Sequence, residues 1–563
     1  MVGPSPLAGD EVPAVVQDVL KTYVARSADA AIQQAKGAGD VAVLGKEKII
    51  LQQLGSVHPT PTRLRRKRKK PILHPMLSIC DMAKFLLDSE RYSEKLLNHP
   101  VSRESDWTEE LVKFWEKWRC LEPNNEVFKT HSNELGHCIP CMLHGDEGTG
   151  HRRKPVLQLS WGSLLRVGKN ALERMFLITS CAHKMYSRFN KGSVAGNIVI
   201  DKLLEECAKS AFKAHSDGIQ TRSGQRFFLI FLGLAGDHPF QTKAYRATRG
   251  HLKKDICPHC HANTYSVPFE DMSRQALWRA TVFQSVPWKR DVAPPLALIP
   301  GSSHPGFIRW DLMHMLPHGC ARNFAASIIC MLAGPMDIFV PNSLDGRVRN
   351  SKEHRLDEAY THFQSWLDCK QKHVRDMKEF TVDNLGWKQN RDYPEMTCKA
   401  SDCNLIIQWL IDFLTSVPFV LCWVLQTTLA GLEGVDEFMR LAYTGDRIFW
   451  CREKQRRGKC CLGTFLHAYV ELQLYWHKRN WTLFKIVPKS HFSAHWHEEL
   501  AEALAKGQEL ALSPGAFATP ILEDFIGVVS RISRTAHPSS VSRTTIHKYL
   551  VEIRKVWAQS SGK

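Results

Sequence analysis

Two aspartates are the residues in this sequence best placed to do chemistry. Asp146 closes the run HCIPCMLHGDEG and Asp237 closes RFFLIFLGLAGDHP; each directly follows a glycine at the end of a short apolar stretch. A single aspartate in that position commonly serves as a turn residue or helix cap. A pair brought together is different. Adjacent carboxylates repel unless a cation sits between them, and hard oxygen ligands with room for phosphate oxygens suit Mg²⁺ or Mn²⁺. Two such ions about 3.5–4 Å apart drive in-line phosphoryl transfer, one activating the nucleophile and one holding the leaving oxygen.

Other groups offer further chemistry. Cys257-Pro-His-Cys260 is a CxxC loop following the basic segment YRATRGHLKKD, half of a zinc site, with His251, His261, His304 and His314 as candidate partners. Two unliganded thiols in a turn are the alternative. Cys138, Cys141 and His144 form a second, incomplete cluster beside Asp146. His491, His495 and His497 are candidate ligands on a helix that a solvated His/Glu face explains equally well. Asp311 and His314 lie three apart where an apolar run meets a helix, a spacing that backbone hydrogen bonding in a turn also explains. Glu523 and Asp524 fall early in an amphipathic helix, where acidic residues suit the helix dipole. Arg531 and Arg534 follow two and three turns later as a phosphate-facing stripe.

These residues need elements to position them. HCIPCMLHGDEG, KPVLQLSWGSLL and ERMFLITSCAHKM read as three short strands, SVAGNIVIDKLLEECAKSAFKAHSDG as a helix, and RFFLIFLGLAGDHP as a fourth strand. Three antiparallel strands, a crossover helix and a parallel fourth strand set the ends of the first and fourth side by side. Asp146 and Asp237, 91 residues apart, then become neighbours. Residues 76–130 read as a helical module and 131–345 as the first part of the core with its CxxC loop. Residues 346–475 read as a helical insertion and 476–563 as the rest of the core.

The whole chain of 563 residues carries 75 Lys and Arg against 57 Asp and Glu, a formal charge of +18 that points to a polyanionic partner. With 44% hydrophobic and 23% charged residues, a mostly disordered chain is excluded. Residues 1–75 read as a disordered basic tail. Within it Arg63, Arg65, Arg66, Lys67, Arg68, Lys69 and Lys70 form either a nuclear localisation signal or a DNA-contacting arm. Seventeen cysteines, several in apolar runs, suit a reducing compartment. The first residues lack a basic, then apolar, signal-peptide pattern. The apolar stretch 405–432 carries Gln408, Asp412 and Pro418, so it reads as two buried helices rather than a membrane span.

In order, LHGDEG, RFFLIFLGLAGDHPF, ICPHCHA, WDLMHM, FKIVPKSHFSAH and TPILEDFIG resemble the transposases of CACTA-type DNA transposons, including the Plavaka-like branch, over roughly residues 135–550. The resemblance implies an α/β, ribonuclease H-like mixed sheet interrupted by a large all-α insertion. It implies a DDE triad of Asp146, Asp237 and Glu523, with Asp524 as the competing choice for the third, and Asp311 and His314 as a supporting DxxH element. It further implies two Mg²⁺ or Mn²⁺ ions, DNA as the partner, a nuclear setting and strand cleavage and transfer. The basic residues of 241–254, Lys253 and Lys254 among them, and those of 531–548 would neutralise phosphates. Self-association is compatible with this reading; a membrane or small-molecule partner is not part of it. The second reading is a catalytically silent, domesticated DNA-binding or scaffold protein with a zinc-stabilised module.

Overall fold

The strands of this protein lack the in–out alternation of a half-exposed sheet. CIPCMLHGD, FLITSCA and FFLIFLGLAG are buried along both faces, so the sheet needs cover on each side. The computed structural model describes residues 74–560 apart from 166–169, 190–195, 290, 340–350, 417–421, 519 and 538–539. The seven basic residues from Arg63 to Lys70 lie outside the described residues. His74, expected in the tail, is instead buried, with its Nε2 2.7 Å from Thr179 Oγ1.

The architecture is mixed α/β. Strands β1 (Cys138–Thr149), β2 (Pro155–Ser163), β3 (Phe176–Ala182), β4 (Ile219–Gln220) and β5 (Arg226–Gly236) form one sheet in the order β3-β2-β1-β5-β4. The pairs β1–β2 and β2–β3 are antiparallel, and β1–β5 is parallel. The expected strand order is therefore present. Two details differ. β4 is an extra two-residue strand paired with the start of β5, too short to leave a periodic signal. β1 runs three residues past Asp146, because its pairing with β2 continues to Thr149 after its pairing with β5 ends at Gly145.

Helices α1 (Ile79–Leu87), α2 (Glu90–Leu97) and α3 (Glu104–Leu121) precede the sheet, and α4 (Ile198–Ser216) crosses from β3 towards β5. Trp107, Trp115 and Trp118 of α3 are fully buried; Trp115 Nε1 donates to Cys138 O at 2.7 Å, and the Trp107 ring lies 5.0 Å from Phe227. After β5 comes α5 (His238–Ala244). Then α6 (Ala321–Ala333), α7 (Lys352–Cys369), α8 (Ala400–Ser416), α9 (Trp423–Tyr443), α10 (Arg452–His477) and α11 (Pro488–Ala505) build a second apolar core. That core reaches beyond the expected 346–475. α6 joins it in front and α11 behind, because both carry buried faces, Phe324, Ile328 and Met331 on one and Phe492, Trp496 and Leu500 on the other. The CxxC cysteines are buried in the same cluster. A two-stranded sheet, β6 (Phe449–Cys451) with β7 (Leu510–Leu512), sets Phe449 against Phe114 of α3 at 5.4 Å.

Of the apolar stretch 405–432, residues 405–416 lie in α8 and 423–432 in α9. Asp412 accepts from Trp366 Nε1 at 2.9 Å and pairs with Lys370, and Gln408 accepts from Lys372. Among the described residues no helix is long and apolar enough to cross a membrane.

The chain returns to the sheet with α12 (Pro520–Arg534) and α13 (Val541–Ser560). Leu522, Phe525, Ile526 and Val529 form the buried stripe of α12. Gln158 of β2 donates to Ser530 Oγ at 2.8 Å, and Leu177 N of β3 donates to Tyr549 OH of α13 at 3.0 Å. Gly148 of β1 lies directly under α12: a Cβ there would come 2.0 Å from Ser530 Oγ and 2.8 Å from Ile526 Cγ2. Gly148→Val is therefore expected to lift α12 off the sheet and lower stability by about 1–3 kcal/mol, the usual scale of overpacking. Urea denaturation would report this as a lower midpoint with unchanged slope.

Candidate functional site

The parallel pairing of β1 and β5 ends with Gly145 opposite Gly236, so the next residues, Asp146 and Asp237, leave the two strands side by side. The strands approach so closely here that glycine is needed. Gly236 has φ +140°, and a Cβ on it would come 2.3 Å from Gly145 O. The Phe240 ring fills the space beside Gly145. Asp237 caps α5: its Oδ1 accepts from Phe240 N at 2.7 Å. Asp146 is buried, and its Oδ1 accepts from its neighbour Glu147 N at 2.6 Å.

Side chains two apart on a strand share a face. Asp146 therefore points to the side where Gly148 meets α12, and Glu523 in the first turn of α12 comes into hydrogen-bonding contact with it. Asp524, one position on, is exposed. Asp311 is fully buried and caps the short helix Leu312–Met315, accepting from Met313 N at 3.1 Å and His314 N at 3.4 Å. It also holds His314 Nδ1, which turns Nε2 to 3.7 Å from Glu523 Oε1. Asp146, Asp237, Glu523, Asp311 and His314 thus form one acidic cluster around one imidazole.

The electrostatics follow from crowding. Burial and the nearby Asp146 push Asp237 up to about 6. Burial, Asp146 and Asp311 push Glu523 up to about 8, against the opposing pull of His314. Burial disfavours the charged His314, but Asp311, Glu523 and Asp146 outweigh it and raise the imidazole to about 9. Carboxylates held reluctant to ionise in this way are short of positive charge.

The second cluster is Cys257, Cys260, His491 and His495, whose ligand atoms all lie within 4.8 Å of one another. Cys257 Sγ is 3.3 Å from His495 Nε2, Cys260 Sγ is 3.3 Å from His491 Nε2, and the two Nε2 atoms are 3.2 Å apart. Tetrahedral zinc with Zn–S of about 2.3 Å and Zn–N of about 2.0–2.1 Å brings its ligand atoms to about 3.3–3.8 Å from each other, so this set fits zinc. Backbone N–H groups of His259 and Ala262 donate to the two sulfurs at 3.4 Å, as thiolates require. The cluster is closed by protein on all sides, as in a structural site rather than a catalytic one.

The histidine partners differ from the four expected. His261 bonds Ser285 Oγ, His304 accepts from Gly306 N, His251 packs against His238, and His314 belongs to the acidic cluster. His491 and His495 supply the ligands, one turn apart on α11, while His497 faces Gly463 of α10. The HxxxH spacing signals this pair. What hid it was the neighbouring Glu498 and Glu499, which read as solvent-facing although the two rings are buried. Cys138, Cys141 and His144 form no site: Cys138 donates to Glu134 O, Cys141 is buried in the core and His144 meets Ser160 Oγ.

Of the expected basic contacts, Lys253 and Lys254 are exposed, the first tied to Ala247 O. Arg531 and Arg534 are exposed on α12. Arg534 is eleven residues, three turns, beyond Glu523 on the same helical face, and its Nε donates to Thr149 O at the end of β1. No protein-family model matches the chain, and no curated protein matches it.

Two outcomes are expected. The purified chain carries one zinc, and His491→Ala loses it by elemental analysis. Glu523 titrates near 8 when folded, against its usual 4.5, so the folded state binds more protons across that window and stability falls as pH rises through it. Glu523→Gln should therefore melt higher than wild type at pH 8 in chelator, and added Mg²⁺ should narrow the gap by raising the wild type.

Proposed function

We propose that the protein is a DDE-type enzyme of DNA strand cleavage and transfer, similar to CACTA-type transposases, with a ribonuclease H-like core interrupted by the helical block. The observation that carries this is the meeting of Asp146, Asp237 and Glu523 at one place, from segments up to 377 residues apart in sequence. Order and direction of the strands, with a crossover helix before β5, support the same reading. So does the surplus of positive charge, since DNA is the common polyanion.

The donor set fits Mg²⁺ or Mn²⁺: hard carboxylate oxygens, partly buried, with two of the three raised by burial and by the charge of Asp146. Bound there, such ions would supply an activated water or 3′-hydroxyl and neutralise the leaving oxygen. The chain's own residues do the rest. Asp237 is pre-oriented by its bond from Phe240 N. Asp311 fixes the direction of His314 and favours its charged form, and that charge steadies Glu523 before an ion arrives. Arg534 and Arg531 continue the α12 surface away from the acids and suit the phosphates of a bound duplex.

A second reading keeps DNA binding without cleavage, with the zinc-holding cluster as a structural staple; that cluster stands apart from the acids and serves either reading. Nicking of supercoiled plasmid in Mn²⁺ separates them. Wild type should nick, and Asp237→Asn, which preserves the α5 cap, should lose activity by about 10³-fold. Its DNA affinity should stay near wild type and fall steeply with salt. Equal nicking by wild type, Asp237→Asn and Asp146→Asn would remove the enzymatic assignment. Salt-sensitive binding with no nicking by wild type would establish the silent reading.

A further inference from the structure

Four aromatic rings run between the zinc-fitting cluster and the acidic one. His238 stacks on Phe492 with centroids 5.0 Å apart and planes at 27°. Phe492 stacks on Trp310 at 4.5 Å and 11°. Trp310 meets His259 at 4.2 Å. Each ring is a sequence neighbour of a chemical group: His238 follows Asp237, Phe492 follows His491, Trp310 precedes Asp311, and His259 lies between Cys257 and Cys260. All four are buried. Around them, His259 Nε2 bonds Ile308 O at 2.9 Å, and Lys489 of α11 donates to His318 O at 2.8 Å, so the backbone carrying Asp311 is held from both sides.

Trp310 is the centre of this stack. Among the described residues its buried Nε1 has no hydrogen-bond partner, so ring packing is what positions its side chain. Close-packed rings transmit displacement because neither neighbour can move without opening a gap. A zinc ion that fixes His491, Cys257 and Cys260 thereby fixes Phe492 and His259, and through Trp310 the direction of Asp311 and His314.

We propose that the Cys257–Cys260–His491–His495 metal site sets the geometry of the acidic cluster through the His238–Phe492–Trp310–His259 stack, with Trp310 as the positioning residue. This rests on the reading of the acidic cluster as a divalent-cation site. Coupling between two binding sites is reciprocal: a cation among the acids must also tighten the hold on zinc.

The test uses the full zinc-loaded chain and follows chelator-driven zinc release by absorbance, with and without Mg²⁺. In wild type Mg²⁺ should slow release by about fivefold or more, the lower end of ordinary site–site coupling. Asp237→Asn should abolish that effect. Trp310→Ala should retain one zinc but reduce the Mg²⁺ effect below about twofold, and raise the Mn²⁺ concentration needed for half-maximal nicking. Trp310→Phe, which keeps a ring in the stack, should restore both. If Trp310→Ala fails to fold, Phe492→Leu against Trp310→Phe gives the same contrast. A Mg²⁺ effect absent in wild type, or undiminished in Trp310→Ala or Phe492→Leu, overturns the proposal. The two readings fail separately: Mg²⁺-sensitive release without nicking sinks the enzymatic assignment and supports the coupling, and nicking without Mg²⁺-sensitive release does the reverse.

Discussion

Like charges held close together in a partly dry site repel, and much of this fold serves to hold three of them in place. The glycine contact between β1 and β5 brings Asp146 and Asp237 together, and α12 adds Glu523. Nothing in the local sequence of any one strand would gather these groups. The sheet register does so, and that register is fixed by the close approaches at Gly145, Gly236 and Gly148: a one-residue slip of β1 would bring a side chain into each of them. The repulsion is tempered by backbone N–H donors to Asp146 and Asp237 and by the charged His314, itself steadied by fully buried Asp311. Removing one partner from so dense a network leaves the others with their desolvation unanswered.

The helical block between β5 and α12 poses a geometric problem. A long excursion must leave the sheet beside Asp237 and return beside Asp146 without dragging either out of place. Two devices meet this need. The CxxC loop and α11, more than 230 residues apart in sequence, come together in the four-ligand cluster. The small β6–β7 sheet then sets Phe449 against α3, joining the helical core to the first. A metal held there would tie the two ends of that excursion together and would stabilise the folded chain by its binding free energy.

Much of the sheet was legible in the sequence, and for a physical reason. Strands buried on both faces must be unbroken apolar runs, and glycine followed by aspartate marks where such a run stops. The loop signal of CxxC was equally local. What escaped was short or distant. β4, β6 and β7 have two or three residues each and carry no period. The histidines that complete the cysteine pair lie in a helix whose apolar pattern is interrupted by Lys, Glu and His, so burial of its first turns was invisible. Helix phase separates Glu523 from Asp524: Leu522, Phe525, Ile526 and Val529 define the inner stripe, and residue 523 lies at its edge while 524 is exposed.

The position of α12 has a temporal consequence. Both aspartates precede the helical block, but the third carboxylate arrives only with residues 520–534, after both histidines of the Cys/His cluster. A polypeptide that stops before residue 520 holds only two of the three acids. Whatever this centre does, it is assembled only when the segment that carries α12 has been made and has folded back onto the sheet.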